Sequence, residues 1–330
     1  MRAIVQDGYG DPERALRLGE HDRPEARGGE VLVRVAASSV NPADRMVSAG
    51  RPYVLRAVFG LSRPRRRVPG KDVAGTVERV GPGVTRFSPG DEVYGELPGG
   101  AYAEYAVAGQ DLLAHKPTAL GFTEAAAVPL AGVTALQGIR DAGGVRPDRP
   151  GLRVLVNGAS GGVGTFAVQI AKAFGAHVTA VCGAHARDLV LSIGADEALD
   201  RTREDPTGDG RAYDVVFDLA GDRPPRSYRR ALSPEGVYVA ATGRPGGAVL
   251  GPLPFLGRVV LSSLGPGPRM RVFATKQSPD DLAELAQLID DGKVAPVIEA
   301  EYPLAQTAEA LTTQARGHRR GKTVVKVATP

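Results

Sequence analysis

Up to about residue 120, apolar and polar positions alternate in short runs: "EVLVRVAASSV", "VAGTVERVG", "DEVYGE" and "AYAEYAVAG". Period-two alternation of this kind marks half-buried strands, and the glycines between the runs (Gly70, Gly75, Gly81, Gly83, Gly90) mark turns. The pattern predicts a β-barrel or sandwich. From about residue 122 the period lengthens. Thr123 is positioned to cap a helix over "EAAAVPLAGVTALQGI", and Pro129 should kink that helix or end its first part. Six compact apolar runs follow: "LRVLV", "HVTAVC", "EALD", "YDVVFD", "VYVAA" and "MRVFA". Most are separated by helical stretches, which is the pattern of a doubly wound parallel sheet. The segment "GRPGGAVLGPLPFLGRVVLSSLGPGP" reads as a long loop or lid, because prolines and glycines break its rhythm. A capped helix "SPDDLAELAQLIDDGK", a strand near "APVIEAEYPL", a further helix and the strand "KTVVKV" complete the chain. The expected division is 1–122, 123–275 and 276–330.

The turn after "LRVLV" carries the most specific chemistry. Gly158, Ala159, Ser160, Gly161, Gly162, Val163 and Gly164 join a buried strand to a helix that keeps Val163, Phe166, Ile170 and Phe174 on one face. Glycine at 158, 161 and 164 permits a tight turn, close approach of backbone to a pyrophosphate, and helix-on-strand packing. The helix N-terminus adds amide donors and a positive dipole end. Ala159 replaces the first glycine of G-x-G-x-x-G, so the context decides: strand, turn, helix and second strand together predict dinucleotide binding.

The second strand ends at Cys182-Gly183, where an acidic residue would bond a ribose 2′-hydroxyl. Gly183 leaves room, and His185, Arg187 and Arg201 offer positive charge for a 2′-phosphate, which favours NADPH. Arg187 also fits an ordinary helix-surface arginine. Strand C-termini border the cofactor crevice in such a sheet, so the backbones of Ala220 and Thr242-Gly243 are expected contacts.

Composition narrows the class. The 330 residues are 42% hydrophobic and 24% charged, as in a folded enzyme-sized protein. The formal charge of +4 is a mild excess that favours anionic ligands without implying nucleic acid. The single cysteine, Cys182, excludes an internal disulfide and any zinc site built on two thiolates. His21, His115, His177, His185 and His318 have no metal-ligand spacing, so no metal is expected. Without a signal peptide or a membrane-length apolar run, a soluble cytoplasmic protein is expected. The stretch "RPRRR" (63–67) is either a solvated loop or the receptor for an anionic substrate handle.

Further segments carry a family likeness: "VNPADRMVSAG" (40–50), "VPGKDVAGTVERVGPGVTRFSPGDEVYG" (68–95), "AAAVPLAGVTALQGI" (125–139), "IGADEALD" (193–200), "YDVVFDLAG" (213–221) and "GHRRGKTVVKV" (317–327). With the glycine-rich turn they resemble the medium-chain dehydrogenase/reductase superfamily, and within it the zinc-independent quinone oxidoreductase-like branch. The resemblance covers nearly the whole chain. It implies a GroES-like β-barrel completed by the C-terminal tail, a Rossmann domain, and an active site in the cleft between them.

Zinc-dependent relatives carry a catalytic cysteine where this chain has "SSVNPAD", with Ser38, Ser39 and Asn41. Hydride transfer without a Lewis acid suits an acceptor that is already electrophilic, such as a quinone or an α,β-unsaturated carbonyl. The resemblance sets Asn41 at the nicotinamide end, Thr134 near the cofactor, Phe273 and Ala274 at the carboxamide, and Lys322 near the phosphates. Asn41 alternatively only shapes an Asn-Pro turn, and Asp44 is either a loop or helix cap or a proton relay. Tyr53 is either the proton donor or a surface tyrosine. A homodimer through "MRVFA" is expected from the family habit of pairing sheets edge to edge. Two other functions stay open: an enoyl-thioester reductase of lipid or polyketide assembly, and a nonenzymatic NADPH-binding protein.

Overall fold

The structure is a computed structural model and describes residues 1–208, 210–241, 249–264, 267–315, 317 and 320–327. Its two large sheets divide the two patterns. The strands Arg153–Asn157, His177–Cys182, Glu197–Asp200, Tyr213–Asp218, Leu232–Ala240 and Arg269–Val272 form one six-stranded sheet. Numbered in chain order they run 3-2-1-4-5-6, all parallel. The order reverses between the first and fourth strands, so a crevice opens beyond their C-terminal ends. Buried apolar runs such as Val154, Leu155 and Val156 match a sheet covered by helices on both faces.

The seven-stranded sheet is antiparallel over most of its length and is built on Glu30–Val40. Asp72–Val80 pairs with that strand on one side and Lys322–Lys326 on the other. The last strand thus brings residues 322–326 back beside residues 37–40, some 280 positions earlier in sequence. Its parallel neighbour is Ile298–Pro303.

Two elements differ from the sequence pattern. Gly121, not Thr123, caps the helix Phe122–Ala126, and Thr123 lies in its first turn. A second helix, Pro129–Gln137, then begins with Pro129 in its first turn, where no N–H is needed. The segment expected as a loop contains the helix Leu253–Ser262. Phe255 and Val259, four apart, are buried with Tyr238 and Met270 on the sheet, while Leu261 and Leu264 face outward. Pro252 precedes this helix and fixes its start, so the prolines and glycines bound a helix and do not prevent one.

Among the described residues no helix is long and apolar enough to cross a membrane.

Candidate cofactor and active site

The glycine-rich turn is built for close backbone contact. Gly158 has φ +88°, a left-handed conformation that glycine adopts without strain. A Cβ on Gly164 would lie 2.2 Å from the Gly158 carbonyl oxygen, so the helix Gly162–Ala173 seats on the turn only with glycine there. Ala159 is fully buried, and its amide donates to Val181 O at 3.0 Å. Gly161 caps the helix. The Gly162 amide faces Gly321 in a parallel bridge, whereas among the described residues the amides of Val163 and Gly164 have no acceptor outside the helix. Two first-turn donors at a helix N-terminus fit a dinucleotide pyrophosphate.

The tail seals this turn. Gly321 N donates to Ser160 O at 2.9 Å, and a Cβ on Gly162 would touch the Lys322 Cδ at 2.7 Å. The Lys322 stem therefore lies on Gly162, and its ammonium continues into a buried cluster. Lys322 Nζ donates to Asn41 Oδ1 at 2.6 Å and to Asp72 Oδ2 at 3.2 Å. The same Asp72 oxygen accepts Ser39 Oγ at 2.5 Å and Asn41 Nδ2 at 2.9 Å. Asp72 Oδ1 accepts Leu130 N at 2.9 Å, at the start of the helix Pro129–Gln137. Lys322 is 3% exposed and Asp72 is fully buried. A desolvated ion pair needs this many hydrogen bonds to offset the loss of water.

Asn41 is thus oriented from both ends, its oxygen toward Lys322 and its nitrogen toward Asp72. It also caps the helix Pro42–Ala49, its amide donating to Asp44 Oδ2 at 2.9 Å. Tyr102 Oη donates to that same oxygen at 3.1 Å. Burial, reinforced by the nearby Asp72 charge, pushes the Asp44 carboxyl up to about 7.

On the sheet side, Thr134 Oγ1 donates to Leu130 O at 2.6 Å and lies 2.8 Å from Thr275 Oγ1. Gln137 brackets Lys276, donating to its carbonyl at 2.8 Å and accepting its amide at 3.0 Å. Phe273 N donates to Ala240 O at 2.9 Å and its ring packs edge-on against Phe217. Ala274 is exposed beside it. The segment after the last sheet strand is therefore held against the helix that also anchors Asp72.

Three expected contacts change character. The Ala220 amide is taken by Asp218 Oδ1 at 3.1 Å, so it has no donor left for a cofactor. Asp218 also accepts from Gly221 N, Asn157 Nδ2 and Tyr238 Oη, which makes it a tie between strand ends. Tyr53 is 41% exposed, with the Arg56 guanidinium 4.8 Å from its ring centre, and no bond joins it to the buried cluster. Arg187 pairs with Glu204 at 3.1 Å. His185 folds over Gly183, within 2.7 Å of where a Cβ would stand. The Arg201 amide donates to Cys182 O at 2.9 Å, and its side chain is exposed. Burial raises the pKa of Cys182 and keeps it a thiol. Thr242 and Gly243 lie outside the described residues.

Comparison with known proteins fits this arrangement. Residues 27–118 match the family described as the alcohol dehydrogenase GroES-like domain, and residues 193–325 match that of zinc-binding dehydrogenases. The chain is 34% identical over 337 residues to a chloroplastic quinone-oxidoreductase, QR1, of Triphysaria versicolor, covering 99% of this chain and 98% of that one. This chain belongs to the medium-chain dehydrogenase/reductase superfamily. Within the superfamily it groups with the quinone oxidoreductases. A solved quinone oxidoreductase from Coxiella burnetii superposes with a TM-score of 0.85 at 27% identity, covering 99% of each chain. A chloroplastic NADPH-dependent alkenal/one oxidoreductase of Arabidopsis thaliana is 33% identical, covering 98% of this chain and 79% of that one. The protein is accordingly an oxidoreductase using a nicotinamide cofactor.

The zinc named in the second family description does not fit the cluster. Its carboxylate, Asp72, is already bonded to an ammonium, and no group of three His, Cys, Asp or Glu among the described residues is placed to hold a metal.

Sequence reasoning missed Asp72. One signal was available: a lone charged residue opening the otherwise small and apolar run "DVAGTV".

Proposed function

We propose that the protein is an NADPH-dependent, zinc-independent reductase of quinones or α,β-unsaturated carbonyls. The observation that carries this reading is the contact of Lys322 with both the glycine-rich turn and the Asn41–Asp72 cluster. It joins a pyrophosphate cradle to an oriented carboxamide without a metal. NADPH supplies the hydride when bound.

The chain's own residues do the rest. The amides of Val163 and Gly164 would bind the pyrophosphate. Lys322 and Asp72 fix the Asn41 amide, which orients the nicotinamide ribose or the acceptor oxygen. Thr134 and Gln137 hold the 273–276 backbone against the nicotinamide carboxamide. Asp44, whose pKa of about 7 keeps its carboxyl partly protonated near neutrality, holds a proton for the developing enolate or quinol. Tyr53, turned outward under arginine, is the weaker donor.

NADPH over NADH is supported by the non-acidic end of the second strand at Cys182-Gly183, with His185, Arg187 and Arg201 around it. The printed names of a quinone oxidoreductase and an alkenal/one oxidoreductase among the relatives support the acceptor class. A homodimer is supported by the edge strand Arg269–Val272, which among the described residues pairs on one side only and exposes Val272.

The test is NADPH oxidation followed at 340 nm against quinones, enones and enoyl thioesters. Turnover with quinones or enones, slower with NADH, is the expected result. Tight NADPH binding without oxidation across the panel would leave the nonenzymatic reading in its place.

A further inference from the structure

The segment 51–67 holds six arginines, which the fold puts to different uses. Arg56 lies over the rings of Tyr9 and Tyr53 and donates to Gly50 O. Arg67 bonds Asp7. Arg65 and Arg66 do neither: among the described residues they form no ion pair, and both line a cavity of about 580 Å³. The position of Arg66 is built in. Gly99 has φ +148°, and a Cβ there would come within 2.9 Å of Arg66 Cδ, so the arginine stem lies across the bare glycine. Two adjacent arginines without carboxylate partners among the described residues give the cavity lining a pair of cations that can hold an anion.

The rest of the lining is of another kind. Val47, Val58 and Phe59 supply apolar surface, and the buried Asp44 with Lys71 forms its inner end. Lys71 is committed to Glu96 at 2.7 Å, so it does not neutralise a ligand. It does locate the cavity. Lys71 immediately precedes Asp72, and Glu96 O accepts Gln277 Nε2 at 2.9 Å, two residues beyond the Thr275 that meets Thr134. The inner end therefore abuts the seam where the Asn41–Asp72 cluster meets the 273–277 segment.

We infer that this cavity takes the hydride acceptor, and that the acceptor is an amphipathic anion whose apolar body lies against Val47, Val58 and Phe59 and whose anionic group is held by Arg65 and Arg66. The assignment as acceptor rests on the reductase reading; the preference for an anion does not. A cavity with apolar surface and a pair of cations in its lining rejects a neutral analogue by leaving those cations without a partner.

The test uses a matched pair: 4-(3-oxobut-1-enyl)benzoate, an enone with a carboxylate, and its neutral methyl ester. Binding to the full chain with NADP⁺ is measured by calorimetry, and turnover by NADPH oxidation. The carboxylate should bind about tenfold to a hundredfold more tightly than the ester, as expected for charge-assisted bonds. The Arg65→Gln/Arg66→Gln double variant should erase that preference by weakening the carboxylate alone, while Arg63→Gln keeps it. In turnover the same double variant should raise KM for the carboxylate and leave the ester unchanged. Equal affinity of the wild type for both compounds, or equal losses for both in the double variant, overturns the inference. A binding preference that holds without any NADPH oxidation overturns the reductase reading and leaves the anion site standing.

Discussion

Replacing Lys322 by methionine removes an ammonium but keeps most of the stem that lies on Gly162. Asp72 is then left as a fully buried carboxylate whose remaining partners, Ser39, Asn41 and Leu130 N, are all neutral. Breaking one side of such a pair costs about 3–5 kcal/mol, because the surviving charge has lost both water and counter-charge. The double variant Asp72→Asn/Lys322→Met has no charge to strand. Its carboxamide oxygen can still accept from Leu130 N, and its loss should be about 1–2 kcal/mol, the size of an imperfectly replaced neutral bond. Urea unfolding of wild type, both single variants and the double variant, followed by circular dichroism, closes the cycle. A coupling of roughly 2 kcal/mol or more is expected, well beyond the ~0.5 kcal/mol within which independent sites add. If the two single losses simply sum in the double variant, the buried pair is not what ties the tail to the barrel, and the argument for Lys322 as the link between cradle and cluster fails with it.

Other outcomes follow from the same geometry. Asp44 ionises near 3.8 when unfolded but only near pH 7 when folded, so its stabilising contribution is complete below pH 3.8 and is lost as pH rises through about 7. Asp44→Asn should therefore flatten the fall in stability between pH 4 and 8 by up to roughly 4 kcal/mol, read from urea midpoints across pH; an unchanged slope contradicts the assigned protonation. Arg187→Ala should weaken NADPH binding far more than NADH binding in a fluorescence titration of the reduced nicotinamide, and equal losses would remove Arg187 from the 2′-phosphate site. Gly164→Ala sets a Cβ 2.2 Å from the Gly158 carbonyl; the turn must open, so NADPH affinity should fall at least tenfold, by roughly 1.4 kcal/mol or more, alongside a lower Tm. Val272→Lys should shift the sedimentation coefficient from dimer to monomer; an unchanged dimer would put the interface elsewhere.

The parallel sheet and its glycine-rich turn were legible because their signals are local: apolar runs of strand length, glycine every third residue, and a helix directly after. The helix Leu253–Ser262 was hidden by counting its flanking Pro252 and Gly251 as breaks, although Phe255 and Val259 keep helical spacing. The buried cluster was harder to see for a different reason. Ser39 meets Asp72 because Glu30–Val40 and Asp72–Val80 pair in that register. Lys322 meets Asn41 and Asp72 because the strand Lys322–Lys326 pairs on the other side of Glu30–Val40. No window of sequence contains those residues together. Asn41 and Lys322 were singled out individually by family likeness, but the bond between them depends on sheet register. Likewise "RPRRR" cannot announce that Arg67 is occupied by Asp7 while Arg65 and Arg66 line a cavity.

The return of Lys322–Lys326 to the seven-stranded sheet has a consequence for biosynthesis. On a ribosome the N-terminal strands emerge early, yet Glu30–Val40 lacks one neighbour and Asp72 lacks its counter-charge until residues beyond 320 have cleared the exit tunnel. The six-stranded sheet can be complete before that moment, while the cluster beside its glycine-rich turn cannot. A nascent chain can therefore complete its nucleotide fold before its active site, and the strand that joins them, Lys322–Lys326, follows both.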